Sequence, residues 1–195
     1  MPVVGVLALQ GSFREHIEML ERLDVQTREV RLPRELASLD GLIIPGGEST
    51  TIGKLLVAYS LAEELRGMAL KGFPIWGTCA GMILLAKDIG RNSQPLLGVM
   101  DVKVRRNAFG RQRESFETEL TIAELGPEPF HAIFIRAPWV ESVGAGVREL
   151  ARLDSGAIVA ARQNNLLVTA FHPELTDDVR FHRYFLNLVE SHRKQ

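Results

Sequence analysis

The only cysteine of the chain, Cys79, stands in the stretch GTCAGM, between the apolar runs FPIW and ILLAK. Gly77 and Gly81 lie two residues away on either side, leaving room for a tight strand-to-helix turn of the kind that exposes a strained nucleophile. A helix starting there turns the positive end of its backbone dipole toward the sulfur. The plain alternative is a small buried hydrophobe, a common fate for free cysteine. A thiol nucleophile needs a base, and the base needs a group to orient it. His172 closes the apolar run LLVTAF and opens HPE. Pro173 sets a backbone angle, and at the next position Glu174 is placed to bond one imidazole nitrogen while the other faces the thiol. The alternative there is a strand-end histidine before an ordinary turn. The third element is PGGES, Pro45 to Ser49, whose paired glycines let backbone N–H groups turn into a cavity and hold an oxyanion. Its alternative is a plain turn, and in either case Ser49 or Thr50 is expected to cap the following helix. The spacing of a phosphate-binding P-loop is absent. Together these are the parts of nucleophilic catalysis by a thiol.

The elements needed to position these residues are legible as well. Val3 to Leu9 is a continuous aliphatic run, expected as a strand covered on both faces. GSFREHIEMLERLDV follows with helical spacing at Phe13, Ile17, Leu20 and Leu23, with Ser12 as N-cap and Glu15 as its capping-box partner. QTREV, GLIIPGG and FPIWG read as the next three strands. TTIGKLLVAYSLAEELRGMALKG reads as one long helix, and AGMILLAKDI as another. This alternation predicts a parallel sheet with helices on both faces. Beyond it, Leu97 to Val104, Glu117 to Ile122, Ala132 to Ile135, Ala157 to Gln163 and Leu166 to Phe171 read as strands, some antiparallel, that extend the sheet. DDVRFHRYFLNLVESHRK closes the chain as an amphipathic helix. The expected fold class is α/β: a three-layer α/β/α sandwich with a mixed, mostly parallel central sheet, as a single domain over residues 1–195.

Composition narrows the partners. Of 195 residues, 46% are hydrophobic and 24% charged, and the net charge of -1 carries no footprint for nucleic acid or an anionic membrane. No apolar run is long enough to span a bilayer. The N-terminal MPVVGVLALQG lacks a basic region and a cleavage site, so it reads as a strand rather than a secretory signal. A lone cysteine fits a reducing cytoplasm. Of the five histidines, His16, His182 and His192 lie among charged residues on helix-like stretches and are expected on solvated faces. His131 precedes AIFI with no carboxylate evidently paired to it. No His/Cys cluster offers a metal a site.

Cys79 in GTCAGM, His172 and Glu174 in HPE, and the PGGES run resemble the class I, triad-type glutamine amidotransferases, whose fold is flavodoxin-like, in order and spacing. LALQGSFREH, GLIIPGGESTTIGKL, GTCAGMILLAK, NAFGRQRESFE, FIRAP and FHPELTDD narrow the resemblance to the glutaminase subunits of pyridoxal 5'-phosphate synthases, over essentially the full length. One departure is Ser12, where alanine is expected. The resemblance implies hydrolysis of L-glutamine to glutamate and ammonia, with the ammonia passed to a separate synthase subunit and with no cofactor or metal. It implies Cys79 as nucleophile, His172 as general acid and base, and Glu174 as its orienter. The N–H groups of Gly47 and Ala80 would form the oxyanion hole. Gly47, Glu48, Ser49, Arg106, Ile135 and Arg136 would hold glutamine, and a guanidinium suits the carboxylate of a free amino acid. Gln10, at the end of the first strand, is a candidate relay of partner contact to the PGG loop, or simply a polar strand end. Two rivals remain at this point: a glutaminase subunit serving another synthase, such as imidazole glycerol phosphate synthase, and a binding or stress-response module resembling intracellular cysteine peptidases.

Overall fold

The computed structural model describes residues 1–91, 93–106 and 115–194. Strands β1 (Val3–Leu7), β2 (Gln26–Val30), β3 (Gly41–Ile44) and β4 (Ile75–Thr78) alternate with helices α1 (Phe13–Glu21), α2 (Ser49–Ala58), α3 (Ala62–Leu70) and α4 (Ala80–Leu85). They are followed by β5 (Ala86–Asp88), β6 (Met100–Arg105), β7 (Ser115–Leu120), β8 (Phe130–Ile135), β9 (Trp139–Val143), β10 (Val147–Arg152), β11 (Ile158–Gln163) and β12 (Leu166–Thr169), and α5 (Arg180–Arg193) ends the chain. The central sheet runs β2-β1-β3-β4-β12-β11-β9-β6-β5, with β10 on β11. Its first five strands pair in parallel, as do β5 and β6, whereas β9, β10, β11 and β6 make antiparallel contacts. The fold is thus α/β with a mixed, mostly parallel sheet. β3, β4 and β12 are buried throughout, which is why they read as unbroken apolar runs.

β4 shows how the layers are divided, because successive residues of a strand face opposite sides. Trp76 packs on Phe181 and Phe185 of α5 and edge-on against His16 of α1. Gly77 faces the other way, onto Gly81 at the start of α4, and α4 in turn packs on α2. The register then sets the site. Thr78 pairs with Thr169 and Gly77 with Ile44. The chain therefore leaves β3, β4 and β12 at one sheet edge, the place where open α/β sheets gather function.

Several expectations need correction. The stretch after PGGES is two helices, broken at Ser60, whose φ of 59° lies in the left-handed region that ends helices. The helix after Cys79 stops at Leu85, because Ala86 and Asp88 pair with β6 and that pairing overrides local helical pattern. β7 and β8 pair only with each other in a separate two-stranded sheet rather than extending the central one. β5, β9 and β10 were not expected as strands. Most of the NAFGRQRESFE block falls on residues 107–114, outside the described residues. No helix among the described residues is long and apolar enough to cross a membrane.

Candidate active site

Cys79 sits at the N-cap of α4 with φ 48° and ψ -98°, a conformation that L residues rarely adopt. Its glycine bracket is a packing requirement. A Cβ on Gly77 would overlap the backbone of Gly81, and one on Gly81 would overlap the carbonyl of Ile44. The turn is held by the Cys79 N–H donating to the Thr169 carbonyl at 2.8 Å, which ties the thiol to β12.

β12 runs on into His172, whose N–H donates to the Ile133 carbonyl at 2.9 Å. The ring nitrogen Nδ1 lies 2.7 Å from Oε1 of Glu174. An ionised carboxylate only accepts, so Nδ1 carries the proton and Nε2 is left for the thiol. Both side chains are nearly sealed, at 7% and 5% exposure. Burial works against a charged imidazole, but its contacts with Cys79 and Glu174 outweigh that and push His172 up to about 10. Burial likewise works against the Glu174 carboxylate. His16, His172 and the Ser12 hydroxyl outweigh it and hold the group at about 2. The site at neutral pH therefore carries a protonated imidazole, backed by a carboxylate, beside the sulfur.

A cleft of about 560 Å³ opens over these groups. Lining it are Cys79, Ala80 and His172, the loop residues Gly46, Gly47, Glu48 and Ser49, and Arg106, Ile135 and Arg136. Every predicted substrate-side residue thus borders one space, while Glu174 stands behind His172. Arg136 has φ 43°, and the carbonyl of Ile135 lies 4.0 Å from Sγ of Cys79. The Gly46 carbonyl accepts from the Ser12 N–H at 3.0 Å, so in a trans peptide the Gly47 N–H points the opposite way. Gln10 reaches this loop directly: its Oε1 accepts from the Glu48 N–H at 2.8 Å.

Glu48, rather than Ser49 or Thr50, caps α2, accepting from the N–H groups of Thr50 and Thr51 at 3.1 and 2.7 Å. The Thr51 hydroxyl first, and then those N–H groups, hold its carboxyl at about 2. The predicted caps are turned to Gln94 instead. Its Oε1 accepts from Ser49 Oγ, Thr50 Oγ1 and, at 2.8 Å, Arg106 Nη1. Gln94 was not foreseen, because nothing in its local sequence marks a residue that fixes an arginine twelve positions away.

Three other expectations are overturned. His16 and His182 are fully buried, not solvated. They bond each other, Nδ1 to Nε2 at 2.9 Å, on the inner faces of α1 and α5. His131 does have carboxylate partners, Glu119 at 2.6 Å and Glu117 at 2.8 Å across the β7–β8 hairpin. Ser12 occupies the N-cap of α1 without making the cap bond, and its hydroxyl instead donates to Oε1 of Glu174 at 2.7 Å.

Comparison with known proteins places this geometry. The model of the SNO glutamine amidotransferase family matches residues 6–191. A pyridoxal 5'-phosphate synthase subunit PdxT from Herpetosiphon aurantiacus is 62% identical over 188 residues, covering 95% of this chain and 99% of that protein. The protein of the same name from Carboxydothermus hydrogenoformans is 59% identical over 186 residues, covering 95% and 97%. A crystal structure of a glutamine amidotransferase superposes with a TM-score of 0.91 at 53% identity, covering 96% of this chain and 98% of that one.

Proposed function

This chain belongs to the SNO glutamine amidotransferase family, and from that premise we propose how its cleft performs the family's chemistry. It is the glutaminase subunit of a pyridoxal 5'-phosphate synthase, releasing ammonia from L-glutamine for a separate synthase subunit. The observation that carries the site assignment is the convergence of Cys79 and His172, from two adjacent strand ends, on one cleft, with Glu174 bonded to His172 from behind. The Cys79 sulfur, its proton held by His172, attacks the side-chain amide carbon of glutamine. The N–H groups of Gly47 and Ala80 receive the developing oxyanion. His172 gives its proton to the departing nitrogen, so the C–N bond breaks to ammonia and a thioester. Water then attacks the thioester; His172 takes its proton and keeps it as the sulfur departs as thiolate and glutamate leaves, which restores the starting pair. Arg106 and Arg136 grip the α-carboxylate, and Gly47, Glu48, Ser49 and Ile135 hold the rest of glutamine. Arg106 is already braced by Gln94 and lies 3.7 Å from Glu48.

Gln10 relays the partner's contact through Glu48 N–H to the Gly46–Gly47 peptide, and glycine pairs reorient such a plane at little steric cost. Residues 1–195 act as one amidotransferase domain, and the lone thiol suits a reducing cytoplasm. The test is ammonia release with and without the synthase subunit. Cys79→Ala should abolish it while leaving the melting temperature near wild type. Ammonia from folded Cys79→Ala would overturn the assignment.

A further inference from the structure

Two side chains grip Glu174 and have no part in the reaction as described. Ser12 donates to Oε1 at 2.7 Å, and Nε2 of His16 lies 3.5 Å from Oε2. We propose that Ser12 and His16, at the start of α1, are positioning residues that clamp both oxygens of Glu174 and so aim His172 at Cys79. The proposal rests on the triad assigned above.

The first observation is what Ser12 gives up. Serine is among the best N-cap residues because its hydroxyl satisfies a free helix N–H, yet here it makes no cap bond. The hydroxyl reaches a carboxylate 162 positions away. The Ser12 N–H meanwhile holds the Gly46 carbonyl at 3.0 Å. One residue thus ties the loop of the oxyanion donors to the carboxylate behind the base.

The second is the state of Oε2. It is buried and has no hydrogen-bond partner of normal length among the described residues. A sealed carboxylate oxygen without a donor is strongly disfavoured, and His16 supplies the N–H that stands beside it. Catalytic hydrogen bonds are often long without substrate and tighten when it binds.

The third is that one set of tautomers satisfies the cluster. With the proton on Nε2, His16 offers N–H to Glu174 and to Thr78 Oγ1, which is 3.2 Å away. Its Nδ1 then accepts from Nε2–H of His182 at 2.9 Å. The atom left bare is Nδ1 of His182, buried with no partner among the described residues, and in this arrangement it is an acceptor. The opposite tautomers would bury an unpaired N–H there and turn a lone pair of His16 toward the carboxylate. Burial lowers both rings below their ordinary range, so His16 carries charge only in acid and at neutral pH presents a neutral N–H to Oε2 from 3.5 Å. The ion pair stays between Glu174 and His172.

The test measures kcat and KM for glutamine in the complex with the synthase subunit, for Ser12→Ala, Ser12→Thr, His16→Gln and His16→Leu. Ser12→Ala is also made in a Glu174→Gln background. A hydrogen bond to a buried charge is worth enough that Ser12→Ala should lower kcat about tenfold with KM unchanged, and Ser12→Thr should restore it. His16→Gln, whose amide nitrogen replaces Nε2, should keep most of the activity that His16→Leu loses. With Gln at 174, Ser12→Ala should have little further effect, because its route runs through the carboxylate. Wild-type kcat in Ser12→Ala overturns the clamp, as does an equal tenfold fall in the Glu174→Gln background or an effect confined to KM. If His16→Leu does not fold, the Ser12 variants decide. Wild-type turnover in Glu174→Gln would bring down the triad itself; a slow Glu174→Gln beside a fully active Ser12→Ala brings down only the clamp.

Discussion

Gly46→Ala should disable the site while leaving the fold intact. Gly46 has no left-handed φ, so alanine suits its backbone, and the perturbation is confined to what the new methyl meets. It would overlap Cε1 of His172 and lie 3.1 Å from Nδ1, with Cβ of Cys79 at 3.5 Å. Backbone and sheet behind the ring cannot yield, because the His172 N–H is bonded to Ile133. The ring must therefore swing. Ordinary contact begins near 3.4 Å, so the swing is on the order of 1 Å, and a misplacement of that size costs roughly a hundredfold in rate. It also stretches the 2.7 Å bond between Nδ1 and Glu174, adding to the loss. The assay is steady-state glutamine hydrolysis in the complex, with melting temperature and circular dichroism as controls on the fold. Wild-type kcat in a folded Gly46→Ala, or a change in KM alone, would refute the reasoning.

Glu174→Gln keeps the shape of the side chain but removes the charge behind His172, so kcat should fall by about a thousandfold or more; unchanged turnover would mean another group orients the ring. Gln10→Ala removes the acceptor of the Glu48 N–H and should blunt activation by the synthase subunit more than it lowers the unassisted rate, and activation at the wild-type level would take Gln10 out of the relay. Stability should also follow the triad. Glu174 is held at about 2, so its contribution is present above its ordinary value of 4.5 and fades as pH falls toward 2. His172 is raised to about 10, so its contribution is complete below 6.5 and fades as pH climbs through 10. The melting-temperature gap between wild type and Glu174→Gln should therefore narrow on acidification from pH 5 to pH 3; a gap that widens contradicts the charge states assigned here.

Local geometry was legible in the sequence wherever it was contiguous. GTCAGM, HPE and PGGES each carry their geometry within a few residues, and buried parallel strands hand such motifs to one sheet edge. What escaped were contacts between distant elements. Ser12 looked like a cap because capping is local, whereas its bond to Glu174 exists only once α1 is laid against the loop after β12. His131 finds Glu119 directly opposite only through the β7–β8 register. His16 and His182 were read from their charged neighbours, although a signal was present. His182, Phe185, Leu186 and Val189 fall on one helical face, as do His16, Met19 and Leu20, and those partners are all buried. The break at Ser60 and the early end of α4 were hidden because helix-forming residues run through both. β5, β9 and β10 depend on sheet neighbours more than on their own alternation.

The central claim is that Cys79 carries the γ-glutamyl group of glutamine as a thioester in this cleft. The most direct test is intact-mass and peptide mapping after incubation with a diazoketone analogue of L-glutamine, in the presence of the synthase subunit. A single covalent adduct on Cys79, blocked by excess L-glutamine and lost in Cys79→Ala, is the result expected. Undiminished glutamine hydrolysis by protein that the analogue leaves unlabelled at Cys79 would contradict it.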